Sequence, residues 1–256
     1  FCKLYQISTT IYENNLLRKS LPKSSFNKKA IFKIRLNDSI NLEKEENFKL
    51  VIINQFLNIR ILTPKQVDSL IKQIFTKTIR KKISEITGFN FSIDFVIFYE
   101  RKYIPINKRD VPTLKQSYSY RWHFDKPNSG NMLKIFLPLD INNESGPLEI
   151  INKFDSSKIK DFKEIIDPKK RYFLTGKRNK LYGFYPTLCF HRDGIPKEKV
   201  SANQIMFQLN PNKDWVINSR VFKTYSKINN RIGIWTTEPK FPHISYLFNQ
   251  RISFKE

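Results

Sequence analysis

The spacing of apolar residues changes at Gly88, and this change restricts the fold more than any other feature of the chain. Thr63-Pro64 is a typical helix start. Apolar residues then recur at helical spacing, namely Val67, Leu70, Ile71, Ile74 and Phe75. Beyond Gly88 they take every second position of an aromatic and β-branched run, namely Phe91, Ile93, Phe95, Ile97 and Tyr99. The pattern predicts a helix that ends at Gly88 and a strand that follows it.

Most of the chain after this point has the pattern of short strands. Candidate strands are 118–124, 132–139, 148–151, 187–191 and 204–209, separated by clusters of Pro, Asn, Gly and Asp. Amphipathic helices do not regularly separate these strands, which disfavours a parallel α/β architecture. The expected fold is a β-rich α+β fold, a β-sandwich or jelly roll braced by N-terminal helices.

The length of 256 residues and the hydrophobic content of 40% suffice for one sizeable domain. With only 7 glycines the chain has no flexible Gly/Ser linker. We therefore expect a single domain over 1–256. Within it we expect mainly helical support in 1–90, a jelly-roll core in 91–215 and a C-terminal extension in 216–256.

The net charge of +23 raises nucleic acid as a partner. The basic residues are scattered, however, and runs such as Lys169-Lys170-Arg171 are short, which favours solvated faces. We expect neither a nucleic-acid nor a membrane partner, since no apolar run approaches a membrane span. The charge is compatible with an anionic small-molecule substrate.

The two cysteines, Cys2 and Cys189, lack paired metal spacing and favour a reducing, cytoplasmic location.

The chain has three histidines, and two of them end candidate strands. His123 and Asp125 are two residues apart, so in an extended strand both side chains project to one face. His191 closes another candidate strand and is placed to supply a third ligand. Two imidazoles and one carboxylate are the ligand set of non-haem iron(II) oxygenases, which leave positions open for oxygen and a co-substrate. The spacing of His123 and Asp125 alone equally fits a histidine hydrogen-bonded to the carboxylate.

Ordered motifs around these residues resemble the phytanoyl-CoA dioxygenase family of iron(II)- and 2-oxoglutarate-dependent oxygenases. Trp122-His123-Phe124-Asp125 is similar to the family's Trp-His-x-Asp segment, and 132–140 to the apolar strand ending in Leu-Asp that follows it. Residues 143–149 are similar to its Asn-Gly-Pro-Leu-Glu-like turn, and 190–196 to its His-Arg-x-Gly turn. The resemblance covers residues 118–210, whereas residues 1–90 carry no such motif.

The resemblance implies a double-stranded β-helix, which agrees with the jelly roll expected from the strand pattern. It implies iron(II) held by His123, Asp125 and His191, with 2-oxoglutarate as co-substrate and molecular oxygen as oxidant. It also implies hydroxylation of a small-molecule or carrier-linked substrate, because related halogenases have a small residue in place of Asp125.

The far carboxylate of 2-oxoglutarate would need a cation inside the fold, and here the sequence departs from the family. Many relatives have Arg about ten residues beyond the distal histidine, where residues 201–203 of this chain are Ser-Ala-Asn. We expect Lys134 to replace it, because this charge interrupts an apolar candidate strand. The alternatives are Arg192, Lys197 and Lys199, or a Lys134 that points outward from an edge strand.

Two other functions fit parts of the sequence. A non-catalytic β-sandwich that binds a metal or an anion would account for the missing arginine, and nucleic-acid binding would account for the charge. His243 has no metal-type neighbour and is expected to be structural. Cys189 is expected to be a small buried hydrophobic residue.

Overall fold

The computed structural model describes residues 2–42, 49–54, 56–62, 64–109, 119–125, 129–159, 167–217 and 234–235. Its helices are α1 (Cys2–Leu16), α2 (Ser24–Lys29), α3 (Pro64–Ile74), α4 (Lys77–Thr87) and α5 (Lys153–Ser156), with 3-10 turns at Ile106–Lys108 and Pro168–Lys170. Its strands are β1 (Ile31–Arg35), β2 (Lys49–Asn54), β3 (Leu57–Ile61), β4 (Asn90–Lys102), β5 (Leu133–Pro138), β6 (Glu149–Ile151), β7 (Arg171–Phe173), β8 (Lys180–Phe184), β9 (His191–Arg192), β10 (Ser201–Asn212) and β11 (Ile234–Trp235).

The larger sheet is antiparallel and takes strands from both halves of the chain. Its order is β1-β8-β5-β10-β4-β3-β2, and β11 pairs with β4. Residues 1–90 supply β1, β2 and β3, three strands that the sequence analysis did not identify when it predicted mainly helical support there. β1 is difficult to recognise from sequence because its alternation of buried and exposed side chains spans only five residues. The N-terminal part of the chain therefore contributes both outer strands of the sheet as well as helices.

Helices α3 and α4 cover one face of the larger sheet. β10 directs Ile205, Phe207 and Leu209 to this face, where all three are fully buried, and Phe207 meets the Phe75 ring edge-on at 5.2 Å. Every residue of β5 is also buried, so the opposite face of this central strand is covered too. That second face is where the candidate site lies.

A smaller antiparallel sheet, of order β7-β6-β9, lies against the second face. An isolated antiparallel bridge between His123 and His191 adds the segment 119–125 beside β9. The two sheets meet where Phe184 of β8 contacts the imidazole of His191 edge-on, with 5.0 Å between ring centroids. Both sheets therefore border the space around His191.

The single helix predicted between Thr63 and Gly88 is wrong, because the segment forms two helices, α3 and α4. The hydroxyl of Thr76 accepts a hydrogen bond from the N–H of Ile79 at 3.3 Å and so caps the start of α4. A threonine side chain competes with the helical backbone for such N–H groups, which favours a new helix start at this residue. Thr63 itself lies outside the described residues.

Gly88 ends α4, as predicted, in the left-handed conformation with φ of +83°. A Cβ at this position would lie 2.2 Å from the carbonyl oxygen of Ser20. We expect Gly88→Ala to lower the free energy of unfolding by about 2 kcal/mol, the usual cost of a left-handed non-glycine residue with some of the contact relieved. Urea denaturation would measure the loss. Glu85→Ala, an exposed change in the same helix, is the control, and equal stability of the two variants would contradict the prediction.

Four of the predicted strands are confirmed in the larger or the smaller sheet. The candidates 91–99 and 204–209 lie inside β4 and β10, while 132–139 and 148–151 contain β5 and β6. The sequence analysis missed β7 and β8. β7 has three residues, two of them exposed, and so shows little apolar alternation.

The candidate strand 187–191 is wrong over most of its length. The N–H groups of Leu188 and Cys189 both donate to the carbonyl of Tyr185, forming a turn, and β9 begins only at His191. The candidate 118–124 is also wrong as a regular strand: its described part, 119–124, pairs only through the bridge at His123. Both candidates have apolar residues that pack outside regular strands, which is why composition alone misplaced them.

Cys189 is fully buried in the main core, as expected for a small hydrophobic residue. Burial raises the pKa of its thiol far above the usual range.

His243, which was predicted to be structural, lies outside the described residues. In the described part of the chain, no helix is both long and apolar enough to cross a membrane.

Candidate metal centre

His123 and His191 lie directly opposite each other on neighbouring segments of chain. The N–H of His123 donates to the carbonyl of His191, and the N–H of His191 donates back to that of His123, both at 3.0 Å. This reciprocal bonding is that of a hydrogen-bonded antiparallel pair, and the imidazole centroids are 4.4 Å apart. One backbone bridge thus joins two histidines that are far apart in sequence.

A backbone carbonyl selects the neutral tautomer of each imidazole. Nδ1 of His123 donates to the carbonyl of Arg121 at 2.8 Å, and Nδ1 of His191 donates to the carbonyl of Cys189 at 2.9 Å. A carbonyl can only accept, so each Nδ1 carries the proton and Nε2 of the neutral ring keeps its lone pair. Such a bond from the far nitrogen is the usual support of a metal-binding histidine.

Asp125 lies between these histidines and Lys134. Its Oδ1 is 3.4 Å from Nε2 of His123 and 3.6 Å from Nε2 of His191. Its Oδ2 contacts the Nζ of Lys134. Because the ammonium holds one carboxylate oxygen and the imidazoles face the other, the arrangement favours a carboxylate that binds a metal through Oδ1 alone.

Asp125 and His191 have the charge states that a divalent metal requires of its ligands. Burial acts to raise the pKa of Asp125, but the Lys134 ammonium outweighs it, so the pKa lies well below the ordinary value. Burial lowers the pKa of His191, although the Asp125 carboxylate opposes this. At neutral pH, Asp125 is therefore an anion and His191 is neutral.

The separations of the three candidate ligands are compatible with a metal ion of ordinary size. One nitrogen of each histidine and one carboxylate oxygen of Asp125 all lie within 4.8 Å of one another. Ligands about 2.1 Å from a metal lie about 3 Å apart when they subtend a right angle, so the two distances between histidine and carboxylate need to shorten only slightly. Among the described residues, no fourth histidine, cysteine or carboxylate joins the cluster. Within the described part of the chain, the candidate ligand set is therefore two imidazoles and one carboxylate.

Apolar rings form one wall of the site. Phe184 contacts His191 edge-on, and Phe136 stacks on Phe184 with 5.7 Å between centroids. Both phenylalanines are buried. Such a wall excludes water and strengthens electrostatic interactions at the histidines and the carboxylate.

Lys134 projects into the site from a central strand. β5 lies between β8 and β10, and Lys134 is only 8% exposed. The alternative interpretation, an outward-facing residue of an edge strand, is therefore wrong. Its ammonium contacts the Asp125 carboxylate, beside the candidate metal position.

The other cations considered from the sequence lie elsewhere. Arg192 follows His191 on β9, and its Nε and Nη2 donate to Oε1 of Glu149 at 2.9 and 2.7 Å. Lys197 forms an exposed ion pair with Glu144 at 2.8 Å, and Lys199 is exposed. Of these four cations, Lys134 is in contact with a candidate metal ligand.

The sequence analysis missed Arg101, a fully buried cation at the end of β4. Its Nη1 donates to the carbonyls of Gly146 and Gly194 at 3.0 and 2.7 Å, and so connects the two turns that carry the family-like motifs. The sequence did contain a signal for its burial. Arg101 continues the alternation of Ile97 and Tyr99 by one more step, so its side chain lies on the same face of the strand.

No protein-family model matches the chain, and no curated protein matches its sequence. Solved structures do match it. The nickel and 2-oxoglutarate complex of HygX from Streptomyces hygroscopicus is 10% identical, with 81% of this chain and 93% of HygX covered and a TM-score of 0.48. Apo EctD from S. alaskensis is 9% identical, with 77% and 81% covered and a TM-score of 0.48. The non-haem α-ketoglutarate-dependent epimerase SnoN from nogalamycin biosynthesis is 9% identical, with 73% and 78% covered and a TM-score of 0.45.

Proposed function

We propose that the chain is an iron(II)- and 2-oxoglutarate-dependent oxygenase that acts on a small-molecule or carrier-linked substrate. One observation carries the proposal: both histidine Nε2 atoms, with their lone pairs available, face the same oxygen of Asp125. Two imidazoles and one carboxylate in an open site are the ligand set of non-haem iron(II) oxygenases. The resemblance of 118–210 to the phytanoyl-CoA dioxygenase family supports the same assignment.

We propose a double-stranded β-helix for the fold around the site. Strands β4, β10, β5 and β8 are consecutive in the larger sheet, and the smaller array consists of β7, β6, β9 and the segment 119–125. The chain passes repeatedly from one array to the other, which is the connectivity of such a fold. In this arrangement the three candidate ligands come from the smaller array and Lys134 comes from the larger sheet.

The residues have separate roles in this proposal. His123, Asp125 and His191 would hold iron(II), which, when bound, activates molecular oxygen for the oxidative decarboxylation of 2-oxoglutarate and the oxidation of the substrate. Lys134 would bind the far carboxylate of 2-oxoglutarate, a role for which it is favoured over Arg192 and Lys199 by its burial beside Asp125. Because Asp125 occupies the carboxylate position of the ligand set, we propose hydroxylation as the outcome.

Anaerobic addition of iron(II) and 2-oxoglutarate tests the assignment directly. We expect a weak visible charge-transfer band that needs both additions, followed by succinate formation when oxygen and ascorbate are supplied. A well-folded protein that binds metal but gives neither the band nor succinate would instead be the non-catalytic metal-binding protein that the sequence left open. Zinc(II) in place of iron(II) is the matched control, since its filled d shell gives no such band.

A further inference from the structure

The backbone bridge that joins the two histidines has a second set of side chains on its outer face. In this antiparallel register, His123 lies opposite His191, so Trp122 lies opposite Arg192. The guanidinium of Arg192 is 4.8 Å from the centroid of the Trp122 ring, a cation–π contact across the pair. Trp122 and Arg192, each next to a candidate metal ligand in sequence, therefore contact each other on the face away from the candidate metal position.

Glu149 extends this contact to the next strand. It lies opposite Arg192 in the register of β6 and β9, and its Oε1 accepts two hydrogen bonds from Arg192. Its Oε2 accepts a bond from Nη1 of Arg171 at 2.9 Å, and Arg171 also lies over Trp122 at 5.7 Å. Both oxygens of one carboxylate are thus bound by arginines that cover the same indole ring.

The cluster is partly shielded from water and backed by apolar side chains. The side chain of Glu149 is 9% exposed, that of Arg171 18% and that of Arg192 31%. Trp122 stacks on Phe190 with 5.4 Å between centroids and 18° between planes. These rings belong to a small apolar cluster that is separate from the main core. The side chains therefore have a fixed geometry, which a solvated surface ion pair would lack.

We propose that Trp122, Glu149, Arg171 and Arg192 form an outer latch that sets the spacing of His123 and His191 for metal binding. The inference rests on the proposed function, since it assigns positioning residues to that metal site. Trp122 directly precedes His123, and Arg192 directly follows His191. A shift of either side chain therefore moves the backbone that carries an imidazole. A partly buried carboxylate that accepts two hydrogen bonds from one arginine constrains the register of the two strands by geometry as well as by charge. Arg192 thereby acquires a role different from that of a co-substrate clamp.

Two substitutions alter the latch, one on β9 and one on β6. Arg192→Lys keeps the charge but loses the planar, two-bond contact with Glu149 and the stacking on Trp122. Glu149→Gln keeps the shape and removes the carboxylate charge that both arginines share. Glu144→Gln is the matched control, because it removes an exposed carboxylate from an ion pair with Lys197 and touches neither histidine.

Two measurements separate positioning from general stability. Titration with nickel(II), a redox-silent substitute for iron(II), should show affinities lowered by roughly 10- to 100-fold in both latch variants and unchanged in Glu144→Gln. Hydrogen exchange in the metal-free protein should show the amides of His123 and His191 exchanging about tenfold faster in the latch variants, with the amides of β5 and β10 unaffected.

The inference is overturned if both latch variants keep wild-type nickel affinity and wild-type exchange at these two amides. It is equally overturned if exchange rises uniformly through β5 and β10, because the cluster would then support only the overall fold. If the wild-type protein binds no nickel, the proposed function fails, and exchange at the two bridging amides alone decides whether the latch exists.

Discussion

Asp125→Ala is expected to abolish succinate formation and to weaken nickel(II) binding by more than about 100-fold. Loss of a residue that only supports a ligand costs roughly 10- to 100-fold, and Asp125 is the anionic member of the candidate ligand set found among the described residues. The substitution also leaves the buried ammonium of Lys134 without its partner beside the metal position, so repulsion from a remaining cation adds to the loss. Calorimetric titration with nickel(II) and a succinate assay would measure the two effects.

Asp140→Ala is the control for this change, since Asp140 is an exposed aspartate in the turn after β5. It should leave metal affinity and turnover within error of the wild type. An Asp125→Ala protein that folds normally and binds nickel(II) as tightly as the wild type would show that the three residues do not form a metal site. The hydrogen-bonded histidine–aspartate pair that the sequence also allowed would then be the correct interpretation.

His123 and Asp125 were predictable as a pair because their arrangement depends on a local rule. His123 and Asp125 point the same way since residues two apart in extended backbone share a face. This holds here even though 119–124 forms only a single bridge. Lys134 was predictable for a similar reason, because a charge in an otherwise apolar strand must be either exposed or paired. The structure pairs it with Asp125.

The partners across the sheet were not predictable, because they depend on register between distant segments. Nothing in the residues around His123 indicates that His191 lies opposite it, or that Glu149 lies beside Arg192. Arg192 shows the consequence. The sequence analysis named Arg192 as an alternative co-substrate clamp, but β-strand alternation directs it to the other face, where Glu149 accepts its hydrogen bonds. The strands β1, β2 and β3 join the larger sheet through pairing with distant strands or with each other. Their local patterns are too short to predict this pairing.

Lys134→Met is expected to weaken 2-oxoglutarate binding without weakening metal binding. The KM for 2-oxoglutarate should rise about 100-fold, which corresponds to about 2.7 kcal/mol and lies within the range for removal of one partner from a buried charge pair. Nickel(II) affinity should be unchanged or higher, because the substitution removes a positive charge that contacts a candidate metal ligand. Methionine has a similar length and fits the apolar surroundings of β5, so the fold should be retained.

Lys199→Gln discriminates between the sequence-based alternatives for the clamp. Lys199 is exposed, and its substitution should leave both the KM for 2-oxoglutarate and nickel(II) affinity at wild-type values. If Lys134→Met keeps a wild-type KM while Lys199→Gln raises it, the clamp lies in the loop before β10, and Lys134 serves only to neutralise Asp125. If instead Lys134→Met weakens nickel(II) binding together with 2-oxoglutarate binding, the lysine holds Asp125 in place for the metal. The two constants measured on one variant thus distinguish a co-substrate contact from a support for the carboxylate.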